Sequence, residues 1–565
     1  MKTYFYLLLF AFSYLQAHAQ LAVDWSVTVH EIHRAGFEPT FIHDPKVVAD
    51  PLGNVYVTSK AGTGGTHDLY IGQPEMLATG FLWDEFYLAQ ISPQGEANWF
   101  FRFSGWRRSL RLSDNPTLFA RPEGGVTLVS QVREDVTLGL DTITILDDDR
   151  KLLIAQINTE GEVDSYTLTD LKIRRISTIT QAPNGDIIIA GAFRDFSGRV
   201  GNFLMTSNSS PSYFAARINI DDGAAEWAYV PTFEAEWGFV GEAQLEVLRD
   251  GNLALVYSPG GYNFEMNGCP EYARPYIVSK LNQYNGALMW QKEAAWTGFG
   301  HIRDIQERAN GDLYLVGSFG GRIFANNGER YDGVNTSDCN IMTGCLLKLT
   351  PLGDLYDIII ERDGFTGHRI VQLSDGQYLI GGRIDRESRN SFTPEELTSG
   401  FIIKLYSAKD QLLFQRNLTT DQAPKIRRYF QDLIMLDDQH IICTGRFDGH
   451  LLDEVIYAPI EMYDAQAFIA QIDLSEIMLP PVGTPAETSL NIFPNPTRGF
   501  LNIDLGESYF GDQSVQIFDA LGRKVFELDG FRDRTQFPII ISELPSGTYT
   551  LRLGEDGPIS KFVKI

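Results

Sequence analysis

Gly185-Asp186-Ile187-Ile188-Ile189-Ala190-Gly191-Ala192-Phe193, then Tyr213-Phe214-Ala215-Ala216-Arg217-Ile218, then Gly223-Ala224-Ala225-Glu226-Trp227, is the stretch on which the fold turns. The Gly-Asp pair and the later Gly supply bends, and the β-branched, small and aromatic residues between them fill runs of strand length. Three such runs joined by turns make an antiparallel meander. Alone, so small a sheet has an apolar face and nothing to bury it against. What decides the architecture is therefore how often the unit recurs.

The Gly-turn strand returns at Gly53-Asn54-Val55, Gly125-Val126-Thr127, Gly251-Asn252-Leu253, Gly311-Asp312-Leu313 and Gly376-Gln377-Tyr378, and in a degenerate form at Gln439-His440-Ile441, which makes seven copies. The second run has seven copies too, at 86–91, 152–157, 213–218, 276–281, 345–349, 401–405 and 468–472. The third run carries Trp in Gly95-Glu96-Ala97-Asn98-Trp99 and Gly286-Ala287-Leu288-Met289-Trp290, with weaker copies near Tyr166, Tyr356 and Phe414. Only six of these exist, because the last repeat runs out near Glu476. Residues 21–25 read Leu-Ala-Val-Asp-Trp and continue as Ser-Val-Thr-Val, the form of the missing strand. A segment before each Gly turn, such as 176–181, supplies a fourth strand.

Four strands per repeat, a spacing of about 60 to 70 residues and interlocked ends describe a closed β-propeller, in which radial closure protects the sheet edges. The expectation is an all-β chain with a seven-bladed propeller, six or eight blades being the alternatives because the second and last turns are degenerate. An open solenoid would need capping repeats instead of a shared one. The composition agrees: 12% aromatic residues, 52 glycines in 565 residues and no long run of 3.6-residue periodicity. The repeats resemble the β-propeller repeats of secreted bacterial proteins over most of 21–476, which implies a fold and no particular chemistry.

The two ends speak of export. Lys2 precedes an apolar run at 4–14, and Ala17-His18-Ala19 offers small residues where a signal peptidase cuts, so cleavage is expected between Ala19 and Gln20. The run is short for a bilayer span, no Cys follows the cut, and no later segment holds eighteen continuous apolar residues; no transmembrane anchor is expected. Pro480, Pro481, Gly483 and Pro485 mark a linker. Beyond it, strand-like runs at 490–493, 499–505, 515–525, 544–553 and 561–565 read as a small Ig-like β-sandwich. The expected domains are 1–19 signal peptide, 20–476 propeller, 477–489 linker and 490–565 C-terminal module.

Within that module stand Pro494-Asn495-Pro496, then Asp519-Ala-Leu-Gly522-Arg523-Lys-Val525, then Leu544-Pro-Ser-Gly547-Thr-Tyr549, and a closing Lys561-Phe-Val-Lys564-Ile. Their order at the C-terminal end closely resembles the type IX secretion C-terminal sorting domain. The resemblance implies recognition by the type IX secretion machinery, passage through the periplasm, delivery to the cell surface or the medium, and removal of the module.

Few residues in the sequence point to chemistry. No G-x-S-x-G elbow, H-E-x-x-H helix or Walker loop occurs, and Ala61-Gly-Thr-Gly-Gly65 lacks phosphate-loop spacing. His30 and His33 lie three apart on a strand and so face opposite ways. Asp147-Asp148-Asp149 and Asp221-Asp222-Gly223 lack the alternating spacing that surrounds Ca²⁺, so neither metal nor cofactor is expected. Recurrence of Trp99, Trp227 and Trp290 at one repeat position favours core packing over a sugar platform. Of four cysteines, Cys345 and Cys443 sit in apolar runs, whereas Cys269 and Cys339 occupy corresponding loops and are the pair expected to form a disulfide, with Cys339–Cys345 as the rival. A net charge of -26, from 47 basic and 73 acidic residues, repels phosphate backbones and excludes nucleic acid as a partner. What remains is a non-catalytic binding or adhesion module for an extracellular glycan or protein, presented on the loops at 257–276 and 318–344. The alternative is a glycan-active hydrolase or lyase with its site in the channel.

Overall fold

The computed structural model describes residues 22–475 and 491–565, apart from 34–42, 62–66, 72–75, 82–84, 105–115, 146–149, 209–211, 232–242, 258–273, 326–328, 334–341, 362–364, 385–399, 419–428, 452–455, 459–465, 505–512, 532–535, 554–558 and shorter stretches of one to three residues. The chain divides into two compact units, Met1–Ile477 and Met478–Ile565. All regular structure among the described residues is strand.

In the first unit each repeat folds as an antiparallel meander. Arg175–Gln181, Ile187–Phe193, Ser212–Ile218 and Ala225–Tyr229 lie side by side in that order. The same order is kept by Thr117–Ala120 through Val163–Lys172, by His43–Ala49 through Ala97–Ser104, and by Phe365–Gln372 through Leu412–Asn417. Where the turn before a second strand holds a glycine, that glycine is at positive φ, as at Gly185 (95°) and Gly311 (88°), where a side chain is strained. The two middle strands of a sheet are covered on both faces; every residue of Ile187–Phe193 and Ser212–Ile218 is buried. Continuous apolar runs are what such doubly covered strands require.

Neighbouring sheets share their cores. Ile188, Ala190, Tyr213 and Trp227 of one sheet pack with Leu253, Leu255, Tyr257 and Ile277 of the next. Trp227 lies over the turn of the following repeat, its Nε1 donating to Gln283 O at 2.8 Å. Trp99 does the same to Thr159 O at 2.9 Å. These tryptophans stitch repeats together, as the core reading anticipated. Long hairpins add a second tie: Val136–Leu138 pairs with the outer strand of the preceding sheet at Phe103 and Ser104, and Ser197–Val200 pairs with Leu171 and Lys172. The 20-residue strand Leu288–Glu307 runs from the outer edge of one repeat into the inner position of the next without a break.

The ring closes on the N-terminal strand. Ala22–His33 pairs antiparallel with Gln466–Asp473, from Ala22 opposite Asp473 to Val29 opposite Ala467. Trp25 then stands over the turn at Gly95, where a Cβ would approach the Trp25 side chain to 2.7 Å, the relation Trp227 has to Gly286. The repeats therefore form a β-propeller closed by strands from both ends of the domain.

The second unit holds a three-stranded sheet, Asn491–Phe493, Phe500–Asp504 and Gln536–Ile540, and a four-stranded one ordered Lys524–Phe531, Gln513–Phe518, Gly547–Leu553, Ile559–Lys564. Leu501, Ile503 and Ile539 of the first share a core with Val515, Ile517, Leu551 and Phe562 of the second.

Candidate functional site

The first strand of every repeat faces one cavity of 540 Å³. Its wall takes residues from seven strands: His43–Ala49, Thr117–Ala120, Arg175–Gln181, Ala243–Val247, the end of Leu288–Glu307, Phe365–Gln372 and Tyr429–Met435. Four of these strands carry a bulge at the same register. One extra residue stands between Ile176 and Thr178, between Ile302 and Asp304, between Gly367 and Arg369, and between Phe430 and Asp432. The extra residues are Ser177, Arg303, His368 and Gln431, and all four line the cavity. A bulge bends its strand and re-aims the side chain it inserts. Opposite each stands a glycine of the second strand, Gly191, Gly317, Gly382 or Gly445. At Gly317 a Cβ would come within 2.1 Å of His301 O, so the bulged backbone leaves room for no side chain there.

The charges of the wall are organised around Arg369. Its Nε donates to Asp432 Oδ1 at 2.7 Å and its Nη1 to Asp304 Oδ1 at 3.1 Å. The other oxygen of Asp304 accepts from Ile370 N at 2.9 Å, and that of Asp432 from Val47 N at 3.4 Å. One guanidinium and two carboxylates thus tie four successive inner strands. Asp432, then Asp304, holds the Arg369 guanidinium well above its usual range. Burial outweighs the attraction of Arg369 at Asp304 and raises its carboxyl.

Two titratable groups of the wall stand outside this network. Among the described residues neither Glu246 nor His368 has a hydrogen-bond or ion-pair partner. Burial, reinforced by the negative charges of Asp304 and Glu307, pushes the Glu246 carboxyl up to about 8. Burial together with Arg303, Arg383, Arg369 and Lys46 pushes the His368 imidazole well below its usual range. At neutral pH both groups are uncharged, the first a donor as well as an acceptor.

In the second unit the motif residues converge on the last strand. Asn495 accepts from Val563 N at 3.0 Å through Oδ1 and donates to Lys561 O at 3.0 Å through Nδ2. Thr497, just beyond Pro496, donates from its backbone to Val563 O and receives from Ile565 N. Tyr549 stacks on Phe562 at 5.4 Å and donates its hydroxyl to Pro545 O. Arg523 closes its turn on Asp519, with Nε 2.8 Å from Oδ2. Gly547 opens the strand opposite Lys564, which is buried, while Lys561 is exposed.

Other sequence expectations are placed as follows. Cys345 and Cys443 are buried free thiols, their pKa pushed up to about 12 by burial. Asp222 accepts from Ala224 N at 2.8 Å, which is turn chemistry. Ala19, Gln20, Cys269, Cys339, Pro494, Gly522, the run at 147–149 and most of the loop at 257–276 lie outside the described residues. One cluster with metal-ligand donors went unremarked in the sequence: Asp24, His440 and Asp473 meet where the N-terminal strand joins the last sheet. Their atoms are engaged at home, with His440 Nδ1 2.8 Å from Asp437 and Ser475 N donating to Asp473 at 2.7 Å. No helix among the described residues is long and apolar enough to cross a membrane. The wall of the cavity was also missed, although a glycine in the middle of four of the second strands, Gly191, Gly317, Gly382 and Gly445, was a signal for the bulge.

Residues 491–565 match the family described as the secretion system C-terminal sorting domain. No curated protein matches the chain closely enough to count as a relative. Solved structures similar to it include the polysaccharide lyase Uly1, at 10% identity and a TM-score of 0.41 over 80% of this chain and 98% of that one. They also include the Pan2 WD40 domain of Neurospora crassa, at 9% and 0.34 over 80% and 97%, and an alpha-L-arabinanase of Penicillium chrysogenum, at 10% and 0.32 over 81% and 100%.

Proposed function

From the premise that residues 491–565 are a type IX sorting domain, which sends the chain to the cell surface or out of the cell, we propose that the upstream domain is a seven-bladed propeller acting as a non-catalytic binding module for an extracellular glycan or protein. The count rests on the seven inner strands around one cavity. Binding is supported over turnover because Asp304 and Asp432, the carboxylates best placed for acid–base work, are already committed to Arg369 and to backbone N–H groups. A base must be free to take a proton at the moment of reaction. The domain limits go with this reading: processing between Ala19 and Gln20, a propeller over 20–476, a linker over 477–489 and an Ig-like sandwich over 490–565. The two sheets sharing one core support the sandwich. Asn495, Pro496 and Lys561 are exposed around the final strand as the surface that the secretion machinery reads, with Tyr549 and Lys564 buried beneath it.

A second reading, a glycan-active hydrolase or lyase, draws support from Glu246, an acid that keeps its proton to about pH 8 in the cavity. Screening the mature protein on arrays of glycans and matrix proteins, with turnover measured in parallel, separates the two. Saturable binding without product formation is expected. Product formation that disappears in Glu246→Gln would replace the binding reading by the enzymatic one.

A further inference from the structure

The cavity is not electrically uniform, and the asymmetry says what it takes. His368 is the bulge residue of its strand and stands beside the cations Arg303, Arg369, Arg383 and Lys46, which come from three other inner or second strands and from its own. Asp432 and Asp304 answer Arg369, and the largest charge effects on His368 come from cations. Glu246, on the strand Ala243–Val247, feels the negative charges of Asp304 and Glu307, with Arg369 acting against them. The wall also carries amides and hydroxyls, Gln244, Gln306, Gln431, Thr178 and Thr180, together with the ring of Phe119. Pockets of a few hundred Å³ with a few convergent polar groups suit small ligands, and 540 Å³ leaves room for one or two sugar rings.

We infer that the cavity binds an anionic sugar, its carboxylate or sulfate lodged against His368 and Arg303 and its hydroxyls meeting the amides and the Glu246 carboxyl. The inference deepens the binding reading and rests on it. Burial, and after it the surrounding cations, hold the imidazole neutral; an anion lodged beside it offsets the cationic share and favours uptake of a proton. Binding therefore consumes a proton. Uncharged Glu246 donates to a sugar oxygen without repelling the anion, which an ionised carboxylate in its place would do. Carboxylated and sulfated sugars share this chemistry, and direct measurement tells them apart.

The test is calorimetric titration of the full mature protein with a galacturonate trisaccharide, a sulfated disaccharide and a neutral trisaccharide of matching linkage, in two buffers of different ionisation enthalpy. At least one anionic sugar is expected to bind about tenfold or more tightly than the neutral one, with net proton uptake and competition by inorganic sulfate. His368→Gln should abolish the proton uptake and weaken binding about tenfold. Competition on the unmodified protein guards against variants that fail to fold. Equal binding of neutral and anionic sugars, no binding of any of the three, or binding untouched by His368→Gln in a folded variant would each overturn the inference. A ligand found on the arrays that ignores His368 would leave the general binding reading intact, whereas an empty array would remove both.

Discussion

Arg369 shows how one residue can hold a ring together. A guanidinium presents its donors in a rigid fork, and here two carboxylates from the strands on either side take them. Removing it leaves Asp304 and Asp432 facing each other across a partly desolvated cavity. Arg369→Ala is therefore expected to cost about 3 kcal/mol, the low end for a broken buried pair because the cavity admits water. Urea unfolding measures this, and a change within about 0.5 kcal/mol would place Arg369 among ordinary surface residues. Glu246 makes the opposite contribution. Its folded pKa lies above its unfolded one, so the folded state holds the extra proton between about pH 4.5 and pH 8. Stability from this group is at its best below the unfolded pKa and falls as pH rises toward 8, after which the full penalty remains. Glu246→Gln carries no such penalty. Thermal melts should show the variant and the parent alike near pH 5 and the variant several degrees more stable near pH 9, the ceiling being about 1.4 kcal/mol per pKa unit. Parallel pH curves would show that Glu246 ionises freely in the folded protein.

At the scale of strands, the closure is the contact on which the propeller depends. Ala22–His33 lays at least seven residues along Gln466–Asp473 and sets Trp25 on the Gly95 turn, so it covers one edge and ties the last repeat to the first. Deleting residues 20–29 should expose the edge of Gln466–Asp473 and the face beneath Trp25, and cost the domain its cooperative transition or send it into aggregates. An unchanged melting curve would mean that the ring stands without its clasp. This strand was legible because absence is informative in a repeat: six Trp-type strands against seven of the others left a place for Leu-Ala-Val-Asp-Trp to fill. The middle strands were legible for a different reason, since a run buried on both faces must be continuously apolar. The inner strands were legible only as a segment before each Gly turn, such as 176–181, and neither their bend nor their cavity face could be read. They are short, carry polar residues toward the cavity and bend at Ser177, Arg303, His368 and Gln431, which breaks the alternation by which a strand is recognised. Gly191, Gly317, Gly382 and Gly445 recorded the bulges all along, but a strand glycine by itself names no partner. Charge pairing across strands 60 residues apart, such as Arg369 with Asp304 and Asp432, has no local signature at all.

For the molecule as a whole, the decisive property is that its two units have separate cores. Leu501, Ile503, Val515, Ile517, Ile539, Leu551 and Phe562 close on themselves, and among the described residues the propeller cores are built from residues before 475. Units with independent cores joined by a Pro-rich segment unfold and function separately. Truncation after residue 476 should therefore leave the propeller folded, with its melting temperature within a few degrees of the parent, yet strand it in the periplasm. Fractionation of a host that uses type IX secretion reads the outcome directly. Within the sorting domain the final strand should matter most. Asn495 holds it through both its amide atoms, so Asn495→Ala removes two hydrogen bonds of about 1 kcal/mol each from an exposed strand and should slow export without touching the propeller. Fusion of residues 476–565 to an inert periplasmic reporter supplies the converse, and the reporter is expected outside the cell with the domain trimmed away. Efficient export of the truncated chain, or a reporter retained in the periplasm with an intact domain, would show that the address is written elsewhere in the sequence.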